Sequence, residues 1–181
     1  VERFTPAVTE DGFHYLVDEF ADLKVMRYTV PGWEELSLQQ KEYVYHLAEA
    51  AKYGRDIIWM QNCRYNLRIR KVLEAIMENY EGPRDTRAFA AFEEYAKRVF
   101  FSNGIHHHYA EDKFFPEVSE AYFAELVKGC DPSQLPLKED ESVDELLQFL
   151  LPIIFNPDIA PVRRSSEDDI IRNSAVNFYE G

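Results

Sequence analysis

Apolar residues recur at helical spacing along most of the chain, and the segments between them carry residues that start and stop helices. Leu38, Val44, Leu47, Ala48 and Ala51 follow Ser37-Leu38-Gln39-Gln40, a capping box whose Ser hydroxyl and Gln amide each satisfy an orphan backbone donor. Gly54 stands where a left-handed residue would end that helix. A second helix is predicted from about Asp56 to Tyr80, with Ile69, Val72, Leu73, Ile76 and Met77 on one face and Gly82-Pro83 as its stop. A third runs from Asp85 to about Phe101 on a stripe of Phe89, Phe92, Ala96, Val99 and Phe100. Ser102-Asn103-Gly104 closes it, since Asn and Gly tolerate positive φ.

The helical period is lost between Ile105 and Val118. Ser119 then caps a short helix that Gly129 ends, and Asp131 to Glu141, with Pro132, Pro136 and several charges, reads as a linker. Ser142-Val143-Asp144-Glu145 is a second capping box, opening a helix that Pro152 kinks or ends near Pro157. Ser165-Ser166-Glu167-Asp168 begins a last helix through Ile170, Ile171, Ala175 and Val176, its acidic first turn suiting the helix dipole. Only Leu23 to Val30 reads as extended. The fold class is mainly α with little strand. It divides into an extended arm over 1–35, a helical core over 36–130, a linker over 131–141 and C-terminal helices over 142–181.

Length and charge narrow the function classes. The 181 residues suit a single domain able to bury a core without disulfide or metal staples. Acidic residues outnumber basic ones 33 to 20, giving −13, which repels phosphate backbones and anionic lipid. No nucleic-acid and no membrane partner is expected. The longest apolar run, Phe149 to Phe155, falls far short of the ~20 residues a spanning helix needs. Cys63 and Cys130 read as two buried thiols. No targeting signal is visible and the chain starts at Val1 without Met, so the natural N-terminus is expected to be missing. The compartment is read as cytoplasmic, with the periplasm left open.

Candidate chemistry is sparse. His106-His107-His108 offers imidazoles for a metal, but successive side chains of an extended segment point apart, which favours hydrogen-bonding or packing roles. His46 shares a helix with Glu42 and Glu49, yet the pattern occurs once and without the spacing of a bundle metal site. The basic run Arg64 to Lys71 reads as pairing with the many acids, an anion patch being the alternative. There is no G-x-S-x-G elbow, no Gly-rich phosphate loop and no H-E-x-x-H. The residues alone assemble no catalytic site and no metal site.

Three blocks resemble the dipeptidyl peptidase III family, zinc exopeptidases that remove dipeptides from peptide N-termini. The first is Leu36-Ser-Leu-Gln-Gln-Lys-Glu-Tyr-Val-Tyr-His-Leu-Ala-Glu-Ala-Ala-Lys-Tyr-Gly54. The second is Gly54-Arg-Asp-Ile-Ile-Trp-Met-Gln61 with Arg64-Tyr-Asn-Leu-Arg-Ile-Arg-Lys-Val-Leu-Glu-Ala-Ile76, closest to the bacterial branch. The third and most specific is Phe101-Ser-Asn-Gly-Ile-His-His-His-Tyr109 followed by Asp112-Lys-Phe-Phe-Pro116. The closing Phe178-Tyr-Glu-Gly181 is also similar.

The resemblance implies an N-terminal segment of a longer, two-lobed enzyme, belonging to the lobe opposite the zinc. In the family a His-Glu-x-x-x-His helix and a downstream Glu hold the metal, which polarises a water for attack on the peptide carbonyl. That motif is absent from these residues, so the resemblance implies zinc in the full-length enzyme, none in this chain, and no activity from it alone. It implies peptide substrate contact for Asn103, Gly104, Tyr109, Lys113 and Phe114. Ala110 stands where the family usually has Gly, which puts the contact role of Tyr109 in question. The residue chemistry suits a peptide grip: Tyr and Phe give rigid contact area, and Lys113 can attract a carboxylate or meet a backbone carbonyl. The alternative is that Phe114 and Phe115 plug the core while the histidines satisfy backbone groups. Two rival functions stay open: a stand-alone helical module binding a peptide or protein without catalysis, and a small metal-binding bundle using His46 and His106 to His108.

Overall fold

A computed structural model describes residues 9–163 of the chain. Helix makes up 52% of it, against about a third in an ordinary globular protein, so the fold is mainly α as the periodicity implies. The chain divides at Gly54 into two compact units.

In the first unit, β1 (Leu16–Phe20) and β2 (Leu23–Met26) form an antiparallel hairpin, with Leu16 opposite Met26 and Phe20 opposite Leu23. Ala21 turns between them at φ 51°. The described part of the arm, 9–35, is therefore folded rather than simply extended. Only β2 was expected; Asp18 and Glu19 are poor strand formers and hide the alternation of β1. A short 3-10 turn, Trp33–Glu35, precedes α1 (Leu38–Lys52). The Lys41 ammonium pairs with Glu34 at 3.1 Å and lies over the Trp33 ring at 5.7 Å, tying that turn to the helix. The Ser37 capping box forms as expected. The stop does not: Tyr53 is a right-handed C-cap, and Gly54 has no positive φ. No side chain of α1 is buried, and Leu38 is 73% exposed. Its apolar positions are interleaved with Gln, Glu, His and Lys, so α1 falls outside the helical core in which 36–130 places it.

The second unit contains α2 (Arg55–Asn62), α3 (Asn66–Asn79), α4 (Arg87–Ser102), α5 (Glu120–Lys128) and α6 (Val143–Phe155). The single helix expected over 56–80 is two, broken at residues 63–65. Cys63 is fully buried at the break, its N–H reaching Trp59 O at 3.3 Å and its carbonyl taking the Asn66 N–H at 3.0 Å. Arg70 of α3 clasps α2, donating to Asp56 at 2.7 Å and lying over the Trp59 ring at 5.4 Å.

The core is continuous from α3 to α6, with Ile69, Leu73, Phe92, Phe123, Leu126, Leu146, Leu150 and Ile154 fully buried. Thr86 caps α4, Ser119 caps α5, and Ser142 forms its capping box on α6. Pro152 lies inside α6, which runs on to Phe155. Residues 131–141 are not an interdomain linker. Leu135 is buried in the core, Arg68 pairs with Glu141, and Arg68 Nε donates to Pro136 O at 3.3 Å, so this segment joins two helices of one unit. The helix expected from Ser165 and the closing 178–181 lie outside the described residues. No helix is long and apolar enough to cross a membrane among the described residues.

Ser142→Ala removes the oxygen that accepts the Glu145 N–H and should cost about 1 kcal/mol. A urea unfolding curve checks this: the midpoint should fall with Ser142→Ala and recover with Ser142→Asp.

Candidate functional site

The candidate residues lie on the loop that leaves α4, and the backbone there is fixed from the outset. Asn103 ends α4 in the left-handed conformation, φ 52°, with its N–H directed to Val99 and Phe100 carbonyls. Its own carbonyl accepts the Asn62 side-chain amide at 3.1 Å. Gly104 follows at φ 154°, where a methyl would overlap the Asn66 side chain. Asn66 is fully buried and accepts the Ile105 N–H at 3.1 Å. Two amides from the α2–α3 region therefore set the first turn of the loop. Neither Asn62 nor Asn66 stood out in the sequence, because buried asparagines carry no periodic signal.

Beyond Ile105 the loop folds back on itself. Ile105 O accepts the Phe114 N–H at 2.8 Å, His106 bridges to Lys113, and Asp112 O accepts the His107 N–H at 2.7 Å. The reversal is tightened by His107, whose Nδ1 accepts the N–H groups of both Tyr109 and Ala110, at 3.1 and 2.9 Å. That leaves the proton of a neutral His107 on Nε2. The residue with positive φ is Glu111, at 66°, not Ala110, so the methyl at Ala110 imposes no backbone strain.

The chain leaving α6 locks this loop from the other side. Lys113 is 6% exposed, and its ammonium donates to Asn156 O at 2.7 Å and Ile159 O at 2.9 Å. Its N–H donates to Pro161 O at 3.1 Å. His106 is buried with Nε2 at 2.8 Å from Ala160 O, and since a carbonyl only accepts, Nε2 carries the proton. The Arg163 guanidinium meets Glu111 at 3.1 Å. Burial lowers the Lys113 pKa to about 8 and lowers that of His106 as well.

What this frame presents is aromatic. The His107 and His108 rings stack at 4.5 Å, and the Tyr109 ring follows at 4.3 Å from His108. Phe101 meets His108 edge-on at 5.1 Å, and Phe114 meets His107 at 5.8 Å. Tyr109 is 84% exposed and Phe114 is half-buried. The five candidates thus fall into two groups. Tyr109 and Phe114 offer ring surface, whereas Asn103, Gly104 and Lys113 spend their polar groups and conformational freedom on the frame.

The other motifs resolve locally. The three histidines make separate hydrogen bonds, His106 to Ala160 O, His107 to the Tyr109 and Ala110 N–H groups and His108 Nδ1 to Ser102 Oγ at 3.4 Å. The run is not extended, however: it turns after His107, which brings the His107 and His108 rings together. His46 contacts the Tyr45 ring at 5.4 Å, and Glu49 pairs with Lys52. In the basic run, Arg68 takes Glu141, and Arg70 takes Asp56 and Glu74. Among the described residues no three His, Cys, Asp or Glu side chains gather as a metal-holding group. Cys63 and Cys130 are free, buried thiols, and burial pushes both pKa values up. Among known proteins, no family model matches the chain and no curated protein matches it.

Gly104→Ala should lower the thermal midpoint, because the methyl collides with Asn66 and the residue stays at positive φ. A wild-type midpoint would show that Asn66 moves aside at no cost. The buried Lys113 gives a pH signature. The unfolded chain keeps this proton until about pH 10.5 and the folded chain loses it near 8. Between those values the unfolded state binds more protons, so stability contributed through Lys113 rises with pH. Thermal melts of wild type and Lys113→Met should diverge in slope across that window, and parallel slopes would refute it.

Proposed function

We propose that this chain is part of the peptide-binding lobe of a dipeptidyl peptidase III-like zinc metallopeptidase, and that its 103–114 loop grips the peptide. The observation that carries the reading is the exposed Tyr109 ring, backed by the half-buried rings of His108 and His107, on a loop whose backbone is bonded on both sides. Rigid aromatic surface binds an extended peptide with little loss of side-chain entropy. The three blocks that resemble the family, the most specific of which contains this loop, supply the peptidase half of the proposal.

Under this reading Tyr109 and Phe114 touch the substrate. Asn103, Gly104 and Lys113 are positioning residues that hold the turn in place. Zinc chemistry belongs to the His-Glu-x-x-x-His motif of the parent enzyme, a run that does not occur in these 181 residues. The part of this chain is to bind and orient the peptide for that chemistry.

In the parent enzyme, Tyr109→Ala should lower kcat/KM for dipeptide release by about tenfold through KM, the loss of roughly 1.4 kcal/mol of aromatic contact. Its zinc content should be unchanged. Loss of zinc would make the histidine run part of a metal site, and unchanged kinetics with lowered thermal stability would assign the loop to packing alone. The 181-residue chain should release no dipeptides from dipeptidyl naphthylamides, with or without added zinc. Measurable turnover would refute the assignment of the chemistry elsewhere.

A further inference from the structure

The 105–114 loop and the chain leaving α6 meet at a junction built around one histidine. His106 is 2% exposed, its Nε2–H donates to Ala160 O at 2.8 Å, and its Nδ1 is buried with no hydrogen-bond partner. Ala160 stands at φ 48°, a left-handed conformation that an alanine resists, so the closed junction holds some strain. Two backbone bonds close the same junction, Lys113 N–H to Pro161 O at 3.1 Å and Arg163 N–H to Glu111 O at 3.0 Å.

The charges around the ring oppose a second proton on it. Lys113 stands opposite His106 in the antiparallel bridge, and residues so placed carry their side chains on one face. From the chain after α6 comes Arg163, whose guanidinium pairs with Glu111 at 3.1 Å. Burial disfavours the imidazolium most, and the Lys113 and Arg163 charges add to this, while the Ala160 carbonyl and Glu111 act the other way. Glu111 therefore has two claimants: Arg163 in the closed junction, and the imidazolium once His106 is protonated.

We propose that this junction is an acid-operated latch. A solvent proton taken up at Nδ1 turns the ring from Ala160 O to the Glu111 carboxylate, Arg163 gives that carboxylate up, and the 156–163 chain comes away from the loop. The exchange of partners makes the released form a defined state and not general unfolding. A ring freed from burial titrates near its ordinary 6.5, or higher beside a carboxylate, whereas the closed ring stays neutral below that. The open form binds more protons in that range, so closing weakens as pH falls, by up to about tenfold per pH unit. The inference rests on His106 and its neighbours and not on what the loop binds.

Amide hydrogen exchange of the 181-residue chain between about pH 7.5 and about pH 5 tests it, each rate being taken relative to an unprotected amide at the same pH. The Lys113 and Arg163 amides, bonded across the junction, should be protected at the upper pH and lose about tenfold or more of that protection at the lower. Phe114, bonded within the loop to Ile105 O, and the amides of α3 should keep theirs. His106→Gln keeps a neutral donor for Ala160 O and takes up no proton, so its junction amides should stay protected in acid. Unchanged protection in wild type, an equal loss in His106→Gln, or a loss shared by Phe114 and α3 would overturn the inference. An NMR titration of the wild-type His106 ring gives a readout independent of whether the variant folds. Ring and junction amides should follow one pH curve, and a ring that titrates near 6.5 while the junction stays protected would also overturn it. None of these outcomes bears on the kinetics of Tyr109→Ala, so the two proposals fail separately.

Discussion

The ammonium of Lys113 is buried between two backbone carbonyls, and the arrangement of the candidate loop depends on it. Removing a lysine from water is costly unless its donors are met, and Asn156 and Ile159 meet two of them. Asn156 is the C-cap of α6, so the positive charge also sits at the negative end of a helix dipole. A single side chain thereby completes a helix terminus and anchors a loop. The contact of His106 with Ala160 and the pairing of Glu111 with Arg163 join the same two segments.

The anchoring explains why residues of one short loop divide into two kinds. The Asn103 carbonyl, the Ile105 N–H, His106 and Lys113 are consumed by bonds to Asn62, Asn66 and the chain after α6, and Gly104 lies against the Asn66 side chain. Tyr109 is left as ring surface, backed by the half-buried His108 ring, which in turn meets Phe101 and His107. Aromatic groups held in advance lose little freedom when a partner arrives, which is the physical advantage of building a grip on a fixed loop. Phe114 belongs to both sides of this division, meeting His107 on one contact and the guanidinium of Arg98 on another.

Much of the helical framework was legible in the sequence because caps are local chemistry. Ser37, Ser119 and Ser142 each do what their spacing to the following residues implies, and Asn103 adopts the left-handed stop. Tertiary choices were less legible. The break at residues 63–65 gives no sequence signal, since Cys63, Arg64 and Tyr65 are all compatible with helix; burial of Cys63 and the clasp of Arg70 on α2 decide it. The apolar positions of α1 look like a core stripe, yet none is buried. At the site, the sequence marks Tyr109 and Lys113 alike as polar-aromatic loop residues. Only the fold separates an exposed ring from an ammonium enclosed by carbonyls.

The 105–114 loop is a fixed platform and not a mobile connector. Amide hydrogen exchange measures this directly, because the N–H groups of Ile105, His107, Lys113 and Phe114 are bonded to Asn66, Asp112, Pro161 and Ile105 respectively. These four should exchange with the slow amides of α3 and α4, through opening of the whole unit. Exchange at the rate of an unprotected loop, while the helices stay protected, would contradict it.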